Sequence, residues 1–250
     1  MRMLIEAVVE YNDEGYLVHS SNHIGAFVRG GTKEEALSKF EDEISRYVLW
    51  ATGERIPTGR TIEINIIQEK KSTLDIADAD SDILFESEST PIGINEYETL
   101  KNLVLKSAKD FNLLYGSIPD KKVTSLKERR TFYGRVPLTA EEMYAHTNRV
   151  TGYYFGEIGI RADFRPDIYV YRAEAFKLAE KAPDYLKSPV HSGAFDELWT
   201  LRKVMRRFIW HDRIHAKAMY RMAVRIWGPS GIADPFCFGC RMYENGSLKG

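Results

Sequence analysis

His211 and His215, in Phe208-Ile-Trp-His211-Asp-Arg-Ile-His215-Ala, are the residues of this chain best spaced for chemistry. They lie in a segment from about Asp196 to Trp227 that contains neither Gly nor Pro, so a long amphipathic helix is expected. A spacing of four on a helix puts two side chains on one face, about 6 Å apart along the axis. Two imidazoles so placed can share one divalent cation at roughly 2 Å each. Steps of three and four from the pair reach Val204, Phe208, Ile214, Ala218, Met219 and Met222, an apolar stripe that directs the histidines into a core or cleft. Asp212 stands where the zinc-peptidase pattern His-Glu-x-x-His carries its Glu, which excludes that chemistry.

Two ligands leave most of a coordination sphere to be filled from another helix. His146 is the expected third, in Thr139-Ala-Glu-Glu-Met-Tyr-Ala-His146. Pro137 and Thr139 mark a helix start, and Thr139 with Glu142 forms a capping box. His146 then falls about two turns in, with Met143, Val150 and Tyr153 or Tyr154 along its face. A lone histidine on such a face is usually a packed core residue. Joined to a pair on a second buried helix, His146 completes an expected metal site of His146, His211 and His215. His191, in Ser188-Pro-Val-His191, precedes the long helix and is a weaker, outer candidate, while His19 and His23 read as surface or strand residues.

The elements that must position these ligands are four helices between about Ile92 and Trp227. The first spans about Asn95 to Tyr115, with Leu100, Leu103, Val104, Ser107, Phe111 and Leu114 at helical spacing. The second carries His146, the third covers Tyr171 to Leu186, and the fourth carries the pair. One histidine on the second helix and His-x-x-x-His on the last resembles the DinB-like superfamily. The resemblance covers a little over half the chain and implies a four-helix bundle with a three-histidine metal site. It implies His146, His211 and His215 as ligands and supplies no catalytic acid or base. Some members of that superfamily are transferases or isomerases that act with a low-molecular-weight bacterial thiol.

Residues 1–72 read differently. Met3 to Tyr11, Tyr16 to Ser20 and Phe27 to Arg29 are expected strands, with a turn at Asp13-Glu-Gly15. Thr32 and Glu35 cap a helix whose buried face is Ala36, Phe40, Ile44, Tyr47 and Ala51, and Thr61 to Gln68 is a further strand. The run Gly15-Tyr-Leu-Val, Ile24-Gly-Ala-Phe-Val-Arg-Gly30-Gly-Thr-Lys-Glu-Glu-Ala36 resembles the HicB-like fold, a small sheet packed on one helix. It departs from that pattern at Ser21-Asn-His-Ile24 and at Gly31, and no DNA-binding extension directly follows it. The expected fold is therefore α+β in two domains. Residues 1–72 form a HicB-like sheet-and-helix domain, 73–91 an acidic linker or edge strand, and 92–250 an all-α DinB-like four-helix bundle with a C-terminal tail.

Charge divides along the same line. Residues 1–93 hold 9 Lys+Arg against 18 Asp+Glu, and residues 94–250 hold 26 against 18. Arg202, Lys203, Arg206 and Arg207 spread around several faces of the fourth helix without a recognition-helix pattern, so nucleic acid is not the expected partner. Attraction between an acidic and a basic half explains the split as well. No run approaches the roughly 20 apolar residues of a membrane span, and the start lacks a signal peptide's apolar run, so a cytoplasmic location is expected. Cys237 and Cys240 form a Cys-x-x-Cys without a second pair to complete a zinc ribbon, and read as part of a tail that packs Phe236 and Phe238.

Three functions fit these features. The first is a metal-dependent thiol transferase or hydrolase, with zinc or nickel on the three histidines and a small-molecule thiol or substrate at an open position. The second is a non-catalytic protein, its HicB-like domain mediating association, with a homodimer expected from the sheet edge. The third is an HD-type phosphohydrolase built on His146, His211-Asp212 and Asp234. There Asp212 points roughly 100° away from His211 on the helix.

Overall fold

The computed structural model describes residues 2–57, 59–131 and 134–240. It is α+β, a mixed sheet followed by a helical region. The sheet contains β1 (Arg2–Asn12), β2 (Gly15–Ser20), β3 (Phe27–Gly30) and β4 (Thr61–Lys71), in the order β3-β2-β1-β4. β1–β2 and β2–β3 are antiparallel, whereas β1–β4 is parallel. A parallel return needs a crossover, supplied here by α1 (Lys33–Ser38) and α2 (Phe40–Thr52) between β3 and β4. The expected single helix is broken at Lys39, and the Thr32 hydroxyl caps α1 by accepting from the Glu35 amide.

Alternation along the strands sends Ile5, Ala7, Val9 and Val18 to the core shared with Phe40, Ile44 and Tyr47 of α2. Val8 packs with Ile83 and Phe85, and Leu17 with Ile76 and Trp210. Both faces of the sheet are thus covered. Residues 73–91 contain no strand among the described residues. Two single 3₁₀ turns, Ile76–Asp78 and Glu86–Ser89, bracket a segment whose Ile76, Ser81, Ile83, Phe85 and Glu88 are buried, so the expected linker or edge strand is a packed strap.

The helical region comprises α3 (Ile94–Ser117), α4 (Ala140–Glu157), α5 (Ile168–Ala179) and α6 (Leu201–Trp227). Each of α3 and α4 packs on both α5 and α6. Two-residue hairpins lie in the connections: β5 (Arg130–Thr131) with β6 (Gly134–Arg135), and β7 (His191–Ser192) with β8 (Leu198–Trp199). α5 ends before the expected Leu186 because Pro183 cannot continue a helix. It begins earlier than expected because the Asp167 carboxylate accepts from the Val170 amide. α6 starts at Leu201, capped by Thr200, rather than near Asp196, where Phe195 and Asp196 have φ of 59°.

α6 touches both halves of the molecule. Gly25 sits beneath it with φ of 91°, and a Cβ there would lie 2.5 Å from Ile209 Cγ2, so both backbone conformation and space require glycine. The hydrophobic core runs without interruption from Ile5 in the sheet to Phe236 in the tail. Among the described residues no helix is long and apolar enough to cross a membrane.

Candidate metal centre

The three sequence-expected ligands come together. α6 contributes His211 and His215 from successive turns, and the adjacent α4 contributes His146. The Thr139–Glu142 capping box is formed as read from the sequence, fixing where α4 begins and so the height of His146. His146 Nε2 and His211 Nε2 lie 3.1 Å apart, and one ring nitrogen from each of the three histidines lies within 4.8 Å of the others. Ring centroids are separated by 5.0 Å for His146–His211, 4.7 Å for His146–His215 and 4.5 Å for His211–His215. Nitrogens coordinated tetrahedrally at roughly 2.0–2.1 Å from zinc would be separated by about 3.3 Å, so small ring movements suffice to close the triangle on one ion.

Burial sets the protonation state. It holds the His215 ring down at about 3, with the neighbouring His146 adding to the effect. Burial likewise drives His211 well below its ordinary value, reinforced by His215 and His146, and lowers His146, reinforced by Arg149. All three rings are therefore neutral at pH 7, the form that offers a lone pair to a cation. His146 is half-buried and opens the cluster toward solvent, while His211 and His215 are 9% and 6% exposed. The buried His211 Nδ1 has no hydrogen-bond partner. That leaves its tautomer to be set by what Nε2 binds.

The histidine most easily added by sequence reasoning, His191, stands in β7 opposite Trp199 and outside the cluster. Asp212 points away from it. Its carboxylate receives both terminal nitrogens of Arg172, at 2.5 and 2.6 Å, and the Ser107 hydroxyl at 2.6 Å. Asp234 caps a turn in the tail by accepting from the Phe238 and Gly239 amides. Neither acid joins the three histidines, so the geometry gives no support to an HD-type arrangement.

Sequence reasoning did not identify Arg172, Ser107 and Asp212 as a unit. Together they bolt α6 to α5 and α3 at the residue next to His211. The guanidinium of Arg172 also lies 4.3 Å over the Phe208 ring. A carboxylate on an otherwise apolar helix face is the signal that points to such a partner. Tyr154, buried on α4, sets its ring edge-on to His211 at 6.1 Å, and burial pushes its hydroxyl up to about 12. It remains a neutral phenol that walls the cluster.

No known protein family, curated protein or solved structure matches the chain.

Proposed function

We propose that His146, His211 and His215 hold a divalent metal ion, zinc or nickel, and that the protein is a metal-dependent transferase or hydrolase of the DinB-like kind. The observation that carries this reading is the convergence of three neutral imidazole nitrogens within 4.8 Å. A bound ion would act as a Lewis acid, activating a water or a small thiol at a remaining coordination position. The chain's own contribution is positional. α6 presents two lone pairs one turn apart, α4 presents the third, and Asp212 with Arg172 and Ser107 fixes the rotation of α6 about its axis. The half-buried side at His146 is where a substrate would approach, close to Arg149, whose charge suits an anionic group.

The test is elemental analysis of protein purified without a histidine tag. About one equivalent of zinc or nickel per chain is expected, falling several-fold in His211→Ala and in His215→Ala while helical content is kept. Assays of thiol-dependent transfer then address the reaction. A second reading is a non-catalytic protein in which the HicB-like half mediates homodimerisation. The 3.1 Å separation of the two Nε2 atoms supports the metal-free part of that reading, because one neutral imidazole can donate to the other. Negligible metal in the wild-type protein, with no recovery after incubation with zinc or nickel, would overturn the metal reading, and a dimer in sedimentation would then support the second.

A further inference from the structure

A cleft of about 710 Å³ opens along the flank of α6 that adjoins the histidine face, meeting it at Ile214 and Ala218. Ile214, Lys217, Ala218 and Arg221 form its α6 wall, following the i, i+3, i+4, i+7 rhythm of one helix face. β3 faces them with Phe27 and Arg29, and α1 and α2 close one side. Its size falls within the range of small-molecule sites, roughly 300–1,000 Å³.

The charges around the cleft do not balance. Glu35 is spent on Lys39 at 2.6 Å and Asp42 on Arg46 at 2.7 Å. The Glu43 carboxylate serves two cations, Arg213 at 2.5 Å and Lys217 at 3.7 Å. Arg129, at the rim, pairs with Asp78 at 2.8 Å. Arg29 donates to the Ala77 carbonyl at 2.8 Å; burial and Arg129 oppose its charge, while at longer range it feels the Asp78 carboxylate that Arg129 holds. The remaining carboxylate lining the cleft is the exposed Glu14. Arg29, Lys217 and Arg221 therefore face one space with less than their complement of acids. Burial lowers the Lys217 ammonium, and Arg221, Arg213 and Arg46 crowd it further against the pull of Glu43. An anion entering the cleft relieves that crowding, and low-dielectric walls strengthen the attraction.

We propose that this cleft binds a ring-bearing phosphorylated small molecule of nucleotide size, its phosphates between Arg29, Lys217 and Arg221 and its ring against Phe27, Ile214 and Ala218. Arginine forks and an ammonium suit phosphate oxygens, and the apolar wall on α6 suits a ring face. The proposal is independent of the metal reading, because its residues occupy other positions on α6.

The experiment is calorimetric titration of the full chain with ADP, with pyrophosphate and citrate as comparison anions, at about 150 mM salt and with chelator present so that no metal mediates binding. Saturable ADP binding with Kd below about 1 mM, tighter than pyrophosphate or citrate, is expected. Arg221→Glu, on an exposed position, should weaken it at least tenfold, as should Arg29→Gln, and His211→Ala should leave it unchanged. Absence of saturable ADP binding would overturn the proposal, as would equal affinity for citrate or insensitivity to both arginine variants. Loss of ADP binding in His211→Ala would place the ligand at the histidines instead.

Discussion

The two sides of α6 give buried polar groups different partners, and both leave some nitrogens unpaired, among them Arg206 Nη1, Arg213 Nε and Nη1, and His211 Nδ1. Toward the sheet and the strap, Lys203, Arg206 and Arg213 are buried, and each meets an acid or a carbonyl. Arg206 reaches Glu88 at 2.5 Å and the Ile83 carbonyl at 2.8 Å, Lys203 donates to the carbonyls of Asp82 and Leu198, and Arg213 pairs with Glu43. Toward α4, His211 and His215 meet another imidazole, and His211 Nδ1 meets nothing. Burying polar groups without ordinary partners costs free energy. The ionic side has a structural account in the fold. The histidine side has no carboxylate, only imidazoles facing one another, which is the physical reason to test it for chemistry.

Breaking the ionic side should give the largest effect. Arg206→Ala leaves Glu88, 1% exposed, without its cation, at a cost of about 3–5 kcal/mol. Urea unfolding followed by helical signal measures it. Arg2→Ala, which removes an ion pair whose side chains are 80% and 52% exposed, should change the unfolding free energy by less than about 1 kcal/mol. Equal effects from the two variants would contradict the contrast between buried and exposed pairs.

The histidine side should respond to metal where the ionic side does not. Free metal at a hundred times Kd should stabilise the wild-type protein by about 2.7 kcal/mol, read as a shift of the thermal midpoint. His215→Ala should lose most of that gain and change the chelated protein much less. If zinc and nickel leave the wild-type midpoint unmoved, the imidazoles are a hydrogen-bonded core cluster.

Much of this side was legible in the sequence, because a helix repeats its geometry. His-x-x-x-His fixes two positions by itself, and Thr139 with Glu142 fixes the helix start that places His146. The ionic side was legible only as a charge split between the halves, not as particular pairs. A helical wheel records that Arg206 and Arg213 lie off the apolar stripe, yet it cannot show that Glu88 and Glu43 arrive from more than a hundred residues away. These cations are buried against acids of the first 93 residues, pairs of the kind that attraction between an acidic and a basic half allows. The acidic strap escaped for the same reason: Ile83 and Phe85 find their burial against Val8 of β1, a contact that no local period encodes.

Acid should weaken the sheet side. Burial opposes ionisation of Glu10, but His19, Ser81 and Arg206 overcome it and hold the carboxyl at about 2, below its ordinary 4.5. Burial lowers His19 below 6.5 despite Glu10. Both groups have folded values below their unfolded ones, so their stabilisation is complete above the unfolded values and is lost on acidification. The His19 contribution falls away as pH drops below 6.5, and the Glu10 contribution between 4.5 and about 2. In chelated protein His211 and His215 act in the same direction as His19, so the urea midpoint should drop from pH 7.5 to 5.5 and His19→Gln should make that drop shallower. A midpoint independent of pH over that interval would show that these rings are not buried neutral.

The smallest expected effect lies where the chain leaves α6 and folds back over its ionic side. Phe236 stacks on Trp50 with ring centroids 5.6 Å apart, and Phe238 lies beside Arg213 and Lys217. Cys237 sits between these two rings in sequence. Its thiol is pushed up to about 12, first by burial, then by the neighbouring Cys240 thiol and the Asp234 carboxylate, with Lys106 opposing. The thiolate fraction at neutral pH is thus far lower than that of a free cysteine, and the thiolate is the nucleophile. Iodoacetamide at pH 7.5 should therefore alkylate Cys237 far more slowly in folded than in urea-unfolded protein, as followed by peptide mass spectrometry. Trp50→Ala, which removes the ring under Phe236, should accelerate the reaction without abolishing the metal response of the histidines. Alkylation of Cys237 at the unfolded rate in the intact protein would mean that the tail does not dock on α2 and α6, and that this end of the ionic side lies open to solvent.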